Sequence, residues 1–400
     1  MKILFVCQYF YPETFRGNDV AFHFAEQGHE VHVVAGVPNY PKGKFFNGYS
    51  WFCRRHEMVR GVKVTHLPII PRGNGGKIMM LLNYMSYLVV GSIWIFFHAL
   101  THKYDRVFCQ QLSPVMMSTP AVLYKKMRNV PLYTWVLDLW PESLTAAGGI
   151  KNKYILGFFD WFVKLEYKHS DKILISSRSF DQSILKYGDY KDKIIYYPQW
   201  SDGNTDAVKD FTLPNIPKGF RIMFAGAVGE AHGMECNMQA ALLTKEYKEI
   251  KWVIVGDGRR SDWVQQFVKD NGLEDTVSLL GRFPSDTMPL FFEQADVMLV
   301  SLTNSPLFNL YSPAKIASYM AAEKPIIAAM NGEGAEVVMS AQCGWHVPAG
   351  DAEGLANLAI TLSKAQKEDL EAKGRNGRTY YDKYFVKDKC LKKLESIMKL

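Results

Sequence analysis

The chain has 400 residues, of which 48% are hydrophobic and 22% charged, a composition typical of globular proteins that excludes a wholly disordered chain. This length allows two or three domains, each with a core of its own. The 47 basic and 40 acidic residues give a net charge of +7. That excess is far below a nucleic-acid-binding signature and favours phosphorylated small molecules or an anionic membrane surface as partners.

The first half alternates short apolar runs with helical patterns, which predicts strands at 2–9, 30–37, 63–70, 105–110, 131–139 and 172–176 and helices at 14–27 and 114–128. The first run is too short for a signal peptide, so secretion is not expected. Several strands are apolar at consecutive positions, which is typical of a parallel sheet covered on both faces. The pattern therefore predicts a doubly wound α/β domain.

One segment, 78–100, has 23 residues without Lys, Arg, Asp or Glu and is long enough to span a bilayer. A span here would place the strands before and after it on opposite sides of a membrane, although they must share one sheet. We therefore expect a buried or partly membrane-facing helix, with a transmembrane helix as the alternative.

Residues 198–219 are rich in Pro, Gly and polar residues, which predicts a linker. Strand patterns then resume at 221–226, 251–256, 276–280, 297–301 and 325–330. The sequence predicts two Rossmann-like doubly wound α/β domains facing a cleft, at 1–200 and 201–380. A Lys-rich C-terminal helix at 381–400 is expected to pack back toward the first domain.

Glycine-rich turns follow three predicted strands of the second half. Glycines let the backbone approach a ligand, and a following helix N-terminus offers N–H groups to a phosphate. Each turn alone is equally compatible with a tight strand-to-helix turn, and neither a P-loop nor a G-x-G-x-x-G fingerprint is present. Their repetition at successive strand ends predicts an anion site that includes Gly226, Gly229, Gly256, Asp257, Gly258, Gly332, Glu333 and Gly334.

Two cations accompany these turns. Arg282, followed by Phe283, comes after a strand and is expected to point at the ligand crevice, with a surface arginine as the alternative. Lys315 lies in a predicted first helical turn, where a cation opposes the helix dipole unless an anion binds there. This helix start, with Ser312 as the expected N-cap and Pro313 as the first helical residue, adds Ser312, Pro313, Ala314, Lys315 and Ile316 to the candidate site.

The order of these motifs, Phe-Ala-Gly-x-x-Gly, Val-Gly-Asp-Gly, Gly-Arg-Phe-Pro and Ser-Pro-Ala-Lys-Ile, resembles the donor domain of family 4 retaining glycosyltransferases with the GT-B fold. The N-terminal half resembles a bacterial surface-polysaccharide branch of that family, the N-acetyl-L-fucosamine transferase-like enzymes. The matching segments are 9–19, 28–31, 38–43, 67–73 and 135–143, and the likeness covers roughly residues 1–385.

The resemblance implies a UDP-sugar donor in the C-terminal domain and a polyprenyl-diphosphate-linked acceptor near the N-terminal domain. The base would lie by 255–258 and the backbone after Arg282, and the diphosphate against 312–316 and 226–233. The family's retaining mechanism is drawn without a covalent enzyme residue and needs no metal or other cofactor. Such an enzyme would act in O-antigen, capsule or exopolysaccharide synthesis, in the cytoplasm and peripherally on the inner face of the bacterial inner membrane.

The chain departs from the family pattern at charged positions. Neutral residues replace an Arg and a Lys in the first donor loop and two glutamates that flank the helix start, and a glutamate replaces a glycine, at Ala227, His232, Leu310, Ser318 and Glu323. We therefore expect donor phosphates to be neutralised by Arg282, Lys315 and backbone N–H groups, with Arg16 helping across the cleft. His232 would replace a cation if protonated, but a lone histidine at a helix start is more often a solvated neighbour.

Three carboxylates are candidates for orienting or deprotonating the acceptor hydroxyl. Asp138 comes first because it follows a strand that should end at the cleft, although a turn residue before Pro141 is the alternative. Glu142 and Asp19 follow. The apolar helix, the aromatic stretch 45–52 and the pair Arg54 and Arg55 also predict a monotopic membrane patch.

Two other classes of function are compatible with the sequence. A nucleotide-sugar epimerase would interconvert free UDP-sugar or hydrolyse the donor without an acceptor. A catalytically impaired partner would bind UDP-sugar or lipid within an assembly complex. The missing glutamates favour the second of these, whereas Arg282 and Lys315 oppose it.

Overall fold

The computed structural model describes residues 1–201, 203 and 211–400 and divides into two compact units. The first comprises Met1–Tyr197 and Leu391–Leu400, and the second Pro198–Cys390. The first unit ends slightly before residue 200, and Tyr197 belongs to it because its carbonyl accepts a hydrogen bond from Trp135 Nε1 at 3.1 Å. Residues 202 and 204–210 of the predicted linker lie outside the described residues.

The first unit contains a predominantly parallel sheet with the strand order β3-β4-β2-β1-β5-β6-β7-β8, in which only β3 and β4 pair antiparallel. Its strands are β1 (Lys2–Val6), β2 (Glu30–Gly36), β3 (His56–Val59), β4 (Val62–Leu67), β5 (Arg106–Gln111), β6 (Leu132–Val136), β7 (Lys172–Ile175) and β8 (Ile194–Tyr196). The central strands are buried on both faces, which explains their continuous apolar runs. The sequence did not predict β3 and β8, because the edge strand β3 mixes polar and apolar residues and β8 has only three residues.

The helices of this unit are α1 (Arg16–Glu26), α2 (Lys77–Thr101), α3 (Thr119–Arg128), α4 (Glu142–Gly148), α5 (Lys153–His169) and α6 (Phe180–Ile184). The Asn152 side chain caps α5 by accepting hydrogen bonds from the first amides of that helix. Because α3 packs against both α2 and α5, these three helices form one layer on the sheet.

Helix α2 is buried along one stripe only, and its position between two strands of one sheet argues against a membrane span. One stripe at every fourth residue is buried, namely Asn83, Tyr87, Gly91, Ile95 and Ala99. In its most apolar 18-residue window only 22% of residues are buried, and within the described residues it is the one helix long and apolar enough to cross a membrane. Strand β4 before it and β5 after it lie in the same sheet, so a span would divide that sheet. Its exposed large side chains are Ile78, Leu81, Leu82, Val89, Ile93, Phe96, Phe97 and Leu100.

The second unit contains a six-stranded, fully parallel sheet with the order β11-β10-β9-β12-β13-β14. Its strands are β9 (Phe220–Ala225), β10 (Ile250–Val255), β11 (Val277–Gly281), β12 (Val297–Ser301), β13 (Ile326–Ala329) and β14 (Gly344–Val347). Its helices are α7 (Met234–Leu243), α8 (Ser261–Asp270), α9 (Met288–Gln294), α10 (Ala314–Ala321), α11 (Glu333–Ser340), α12 (Ala352–Ser363), α13 (Lys367–Tyr384) and α14 (Lys387–Met398). The sequence did not predict β14, whose centre carries Trp345 and His346.

Alternate residues of β9 and β10 belong to two separate cores, one on each face of the second sheet. The prediction of two parallel-sheet α/β domains is therefore confirmed. Each sheet also has a point where the strand order reverses, between β1 and β5 in the first unit and between β9 and β12 in the second. Ligands of such sheets bind outside the carboxyl ends of the strands at these points.

The last helix, α14, begins in the second unit, and the final ten residues belong to the first. Glu395 lies 3.1 Å from His23 of α1, and the Met398 carbonyl accepts a hydrogen bond from Arg106 at 3.1 Å. The C-terminal segment therefore completes the packing of the first unit.

Candidate functional site

A cavity of about 690 Å³ lies where β9, β10 and β11 end in the second unit. It has the size of a small-molecule site. Five predicted donor-site residues line it, namely Gly226, Gly256, Asp257, Arg282 and Phe283. The other lining residues are Ala227, Val255, Pro284, Ser285 and Met288. The remaining predicted donor-site residues of this unit do not line the cavity.

The floor of this cavity consists of closely packed backbone. A Cβ atom at position 256 would lie 1.8 Å from the Gly226 carbonyl oxygen, so only glycine fits there. The Gly256 amide donates to the Gly281 carbonyl at 2.7 Å and the Gly226 amide to the Val255 carbonyl at 2.9 Å. These glycines thus allow tight turns. Because they have no side chains, they also expose backbone atoms to the cavity.

Arg282 is exposed at the cavity wall, in the turn that follows β11. The Asp257 carboxylate accepts hydrogen bonds from Ser261 Oγ at 2.8 Å and the Gly258 amide at 2.7 Å, which lower its pKa, and the Arg282 charge lowers it further. Asp257 is therefore an ionised residue at the start of α8, and Arg282 supplies a cation at the same wall.

Lys315 lies directly beneath Gly226. A Cβ at position 226 would be 2.8 Å from Lys315 Nζ, and Nζ lies 4.0 Å from the Phe224 ring centroid. Part of the residue is exposed, but Nζ itself is fully buried and has no hydrogen-bond partner among the described residues. Burial lowers the Lys315 pKa to about 7. An anion bound at the Gly226 turn would favour its charged form.

His232 lies in the same loop, in a short 3₁₀ helix at Glu230–His232. Its ring contacts Phe224 edge-on at 5.9 Å, and its buried Nδ1 has no hydrogen-bond partner within the described part of the chain. Burial, with the Lys315 charge as a second cause, lowers the His232 pKa to about 4. The hypothesis that His232 supplies a replacement cation is therefore wrong for the unliganded protein at neutral pH.

The start of α10 differs from its prediction by one residue. The helix begins at Ala314, and Pro313, with φ −59° and ψ 131°, is the N-cap, so Ser312 is not. Ile316 is a second correction: its side chain is in the core and its amide donates to the Pro313 carbonyl at 3.0 Å, which leaves it nothing to offer a ligand.

The third glycine-rich turn packs around this helix start. A Cβ at Gly334 would lie 3.0 Å from Pro313 Cδ, and one at Gly332 would lie 2.0 Å from the Asn309 carbonyl oxygen. Glu333 begins α11 and is 3% exposed. The turn packs against the N-terminal end of α10 and does not line the cavity. The predicted residues that do not line the cavity are Gly229, His232, Gly258, Ser312, Pro313, Ala314, Lys315, Ile316, Gly332, Glu333 and Gly334.

The positions that depart from the family pattern have distinct environments. Ala227 lines the cavity and adds no charge to it. Ser318 Oγ lies 3.1 Å from Ser201 Oγ, and Leu310 ends a 3₁₀ helix. Glu323 follows α10 with φ +54°, a left-handed conformation that explains why a glycine is expected there.

Asp138 follows β6 in the first unit, where β5 and β6 end. Its carboxylate accepts hydrogen bonds from the Ser113 hydroxyl, from Ser143 Oγ at 2.6 Å and from Trp140 Nε1 at 3.3 Å. This network fixes the carboxylate near the strand-order reversal of the sheet. The network is compatible with a structural role of Asp138 in the turn, and it also gives the fixed orientation that a catalytic carboxylate requires.

The other two candidate carboxylates are engaged inside the first unit. Glu142, in the first turn of α4, accepts a hydrogen bond from the Ser183 hydroxyl of α6. Asp19 forms an ion pair with Arg16 of the same helix, at 3.6 Å. These contacts hold Glu142 and Asp19 within the first unit, and Arg16 is the ion-pair partner of Asp19. Their roles toward the acceptor stay predictions.

Sequence reasoning missed a second polar cluster in the first unit. Glu13 is 2% exposed, and its Oε1 accepts the amides of Asn39 at 2.7 Å and Tyr40 at 2.6 Å. Burial raises its pKa to about 7. The Arg72 amide donates to Asn39 Oδ1 at 3.0 Å. The available signal was the set of motifs 9–13, 38–43 and 67–73, which follow β1, β2 and β4 and meet here. Within the described residues, no three His, Cys, Asp or Glu are placed to hold a metal ion.

Comparison with known proteins agrees with this architecture. Residues 219–365 match the family model described as glycosyl transferases group 1. The chain is 28% identical over 306 residues to WbjE of Pseudomonas aeruginosa, named as a glycosyltransferase, with 71% of this chain and 75% of that protein covered. It is 24% identical to WcaI of Escherichia coli K12, named as a colanic acid biosynthesis glycosyl transferase, with 69% of each chain covered.

Among solved structures, Anabaena Alr3699/HepE in complex with UDP and glucose superposes with a TM-score of 0.71 at 15% identity, covering 100% of this chain and 99% of that one. The two α/β units and the superposition on solved glycosyltransferases assign the GT-B fold to this chain. The matched family model and the curated relatives are likewise glycosyltransferases.

Proposed function

We propose that the protein is a retaining glycosyltransferase that moves a sugar from a UDP-sugar to a polyprenyl-diphosphate-linked acceptor during O-antigen, capsule or exopolysaccharide synthesis. Its resemblance to N-acetyl-L-fucosamine transferases makes an N-acetylated deoxyhexosamine the donor sugar to test first. The UDP bound by Alr3699/HepE supports the choice of nucleotide.

The observation that carries the proposal is the unmatched Lys315 beneath Gly226. A buried amine without a carboxylate partner is costly to the folded protein and is retained where it binds an anion. Its Nζ lies under the backbone floor of a cavity large enough for a nucleotide, with Arg282 at the wall. A diphosphate at this floor is the ligand that matches both cations.

These groups would assist the departure of UDP. As the bond between the anomeric carbon and the UDP oxygen breaks, negative charge develops on the diphosphate, and Lys315 and Arg282 offset it. A new bond forms between the acceptor oxygen and the anomeric carbon on the same face. The acceptor proton passes to the departing phosphate oxygen, so no covalent enzyme residue and no metal ion is required.

Asp138 is the residue we assign to the acceptor hydroxyl. Ser113, Trp140 and Ser143 donate hydrogen bonds to its carboxylate and hold it in place. In this role it orients the attacking hydroxyl and stabilises the proton as it leaves.

The exposed apolar faces of α2 and α5 support peripheral attachment to the inner membrane. Helix α5 adds exposed Tyr154, Ile155, Phe158 and Trp161 to the apolar side chains of α2 in the same helix layer. Arg54 and Arg55 follow exposed Trp51 and Phe52, which suits an anionic bilayer surface. Replacing Ile93 and Phe97 together by Glu should abolish sedimentation with anionic vesicles, whereas Ile78→Glu alone should only weaken it.

The proposed function is tested by calorimetric titration with UDP-, GDP- and ADP-sugars, followed by NMR of the product's anomeric configuration with a lipid-linked acceptor. We expect preferential UDP-sugar binding and retention of configuration. Interconversion or hydrolysis of free UDP-sugar would instead identify an epimerase-type enzyme. Tight binding without transfer to any lipid-linked acceptor would identify a UDP-sugar-binding partner.

A further inference from the structure

Arg72 lies among aromatic rings beyond the carboxyl end of β4. Its guanidinium carbon is 5.9 Å from the ring centroid of Tyr9, 5.2 Å from that of Tyr40 and 5.8 Å from that of Tyr84. Nη1 donates to Tyr9 Oη at 3.2 Å, and Nη2 donates to Tyr84 Oη at 3.5 Å. The rings therefore fix the plane of the guanidinium while Tyr40, 39% exposed, keeps the cluster open to solvent.

The charge of Arg72 is not matched by a carboxylate. In the described part of the chain no acid forms an ion pair with it. One acid that interacts with its charge is Glu13, whose Oε1 accepts hydrogen bonds from two backbone amides and whose burial raises its pKa to about 7. A half-buried arginine of this kind, held flat and unpaired, is suited to bind an oxyanion with two N–H groups.

Two neighbours indicate what carries the oxyanion. Burial raises the Tyr84 pKa, and the charge of Asp138 adds to this rise. Tyr84 is also a residue of α2, the helix with the exposed apolar face. The cluster thus joins the carboxylate assigned to the acceptor to an apolar surface.

A groove of about 480 Å³ lies further along α2. Val90, its first residue on α2, lies six residues after Tyr84, or about 9 Å along the helix axis. The groove is predominantly apolar, and its lining residues are Arg55, Pro68, Val90, Ile93, Trp94, Phe97 and His98. A ligand with an anionic head and an apolar chain could place the head at Arg72 and the chain in the groove.

We propose that Arg72 binds a phosphate oxygen of a lipid-linked phosphate or diphosphate whose apolar chain follows α2 into the groove. The inference rests on the proposed function and names the part of the acceptor that the first unit recognises. For a diphosphate, the reaction that supplies this substrate transfers a sugar phosphate from a nucleotide-sugar onto a lipid phosphate and releases a nucleoside monophosphate.

The test is titration of the full-length protein with farnesyl diphosphate while UDP saturates the donor site. We expect binding to the wild type and at least about a tenfold loss of affinity in Arg72→Met, because a charge-assisted hydrogen-bonding pair is removed. Arg72→Lys keeps the charge without the fork and should lose about threefold to tenfold. UDP affinity should be the same in all three proteins.

Arg60→Met is the matched control, because Arg60 also stacks on a ring, 4.5 Å from the Phe22 centroid, but is paired with Glu26. It should bind farnesyl diphosphate like the wild type. Equal binding by Arg72→Met, or no binding by the wild type, overturns the inference. Should Arg72→Met melt early, Arg72→Lys decides, and an unchanged affinity there also overturns it.

Two further arms identify the source of the phosphate. Inorganic pyrophosphate should compete with farnesyl diphosphate only weakly, and wild type and Arg72→Met should sediment equally with anionic vesicles. If Arg72→Met lost vesicle binding and kept farnesyl diphosphate binding, Arg72 would contact bilayer headgroups and the inference would be wrong. Absence of UDP binding by the wild type would contradict the proposed function and leave the farnesyl diphosphate result to stand by itself.

Discussion

The two units each place a cation beyond the ends of their strands, but in opposite environments. Lys315 Nζ is fully buried beneath Gly226, whereas the Arg72 guanidinium lies half-buried among tyrosine rings. A desolvated lysine gives up its proton, and its pKa falls to about 7, while an arginine keeps its charge in any protein environment. The positive charge at the proposed donor site therefore depends on pH and ligand, and that of the acceptor-side site is permanent.

The largest effect should come from Asp138→Asn. This variant tests whether sugar transfer depends on the Asp138 carboxylate more strongly than on Lys315 or Arg72. We expect turnover to fall about 100-fold or more, since a neutral amide lacks the negative charge that stabilises the hydroxyl proton as it passes to the departing phosphate oxygen. UDP affinity should not change. The measurement is kcat for sugar transfer, with Ser143→Ala as the control that removes a single hydrogen-bond donor. A lowered Tm with normal turnover would instead assign Asp138 to the turn before Pro141.

The next effect concerns Lys315→Met. Removing the only buried cation that the structure places beneath Gly226 within the described residues should weaken UDP binding about 30-fold or more, as measured by calorimetry. The unliganded variant should be more stable than the wild type, because a costly buried amine is lost.

Lys324→Met is the matched control. Lys324 Nζ donates to the Glu293 carbonyl at 3.0 Å and to the Ala295 carbonyl at 2.8 Å. We expect this variant to lose stability by about 1–3 kcal/mol, because these carbonyls lose their donor, and to retain its UDP affinity. Equal losses of UDP affinity in both variants would contradict a specific role for Lys315.

The pH dependence sharpens the contrast between the lysine and the arginine. The folded Lys315 pKa of about 7 lies below the unfolded value of 10.5, so the unfolded chain binds more protons between these values. Stability should therefore rise from pH 7 to about pH 10, by something on the order of 4 kcal/mol from this group. Lys315→Met should lack this part of the rise in thermal melts, and Arg72→Met should keep it. An identical pH profile for wild type and Lys315→Met would show that the amine is not desolvated.

UDP binding should likewise take up a proton near pH 8, because the diphosphate favours the charged amine. Calorimetry in buffers of different ionisation enthalpy measures this uptake. It should vanish in Lys315→Met.

The smallest effect is expected for His232→Gln. Burial lowers the His232 pKa to about 4, so the ring is neutral at the pH of the assay and contributes no cation. UDP affinity between pH 7 and pH 9 should change by less than about threefold. A loss as large as that of Lys315→Met would mean that bound diphosphate protonates His232, and the lysine would no longer be the distinguishing cation.

The sequence predicted the interior strands of both sheets because their residues are buried on two faces and therefore uniformly apolar. Strands β3, β8 and β14 were not predicted, since these strands of three or four residues are too short to show such a pattern. Gly226, Gly256 and Arg282 were accessible to sequence reasoning because parallel strands end at a common edge. The N-cap of α10 was misplaced by one residue, because a Ser-Pro pair does not specify which residue leaves the helix.

By itself, then, the chain determined two parallel α/β units, the glycine-rich turns at the strand ends of the second and the apolar character of residues 78–100. Local spacing carries this information, since it arises from strand and helix periodicity and from turns a few residues long. Only the tertiary structure decided that Lys315 Nζ is buried without a hydrogen-bond partner in the part of the chain that is described, that burial lowers the His232 pKa and that Arg72 lies among Tyr9, Tyr40 and Tyr84. Desolvation and ring contacts depend on residues far apart in the chain, which no local pattern encodes.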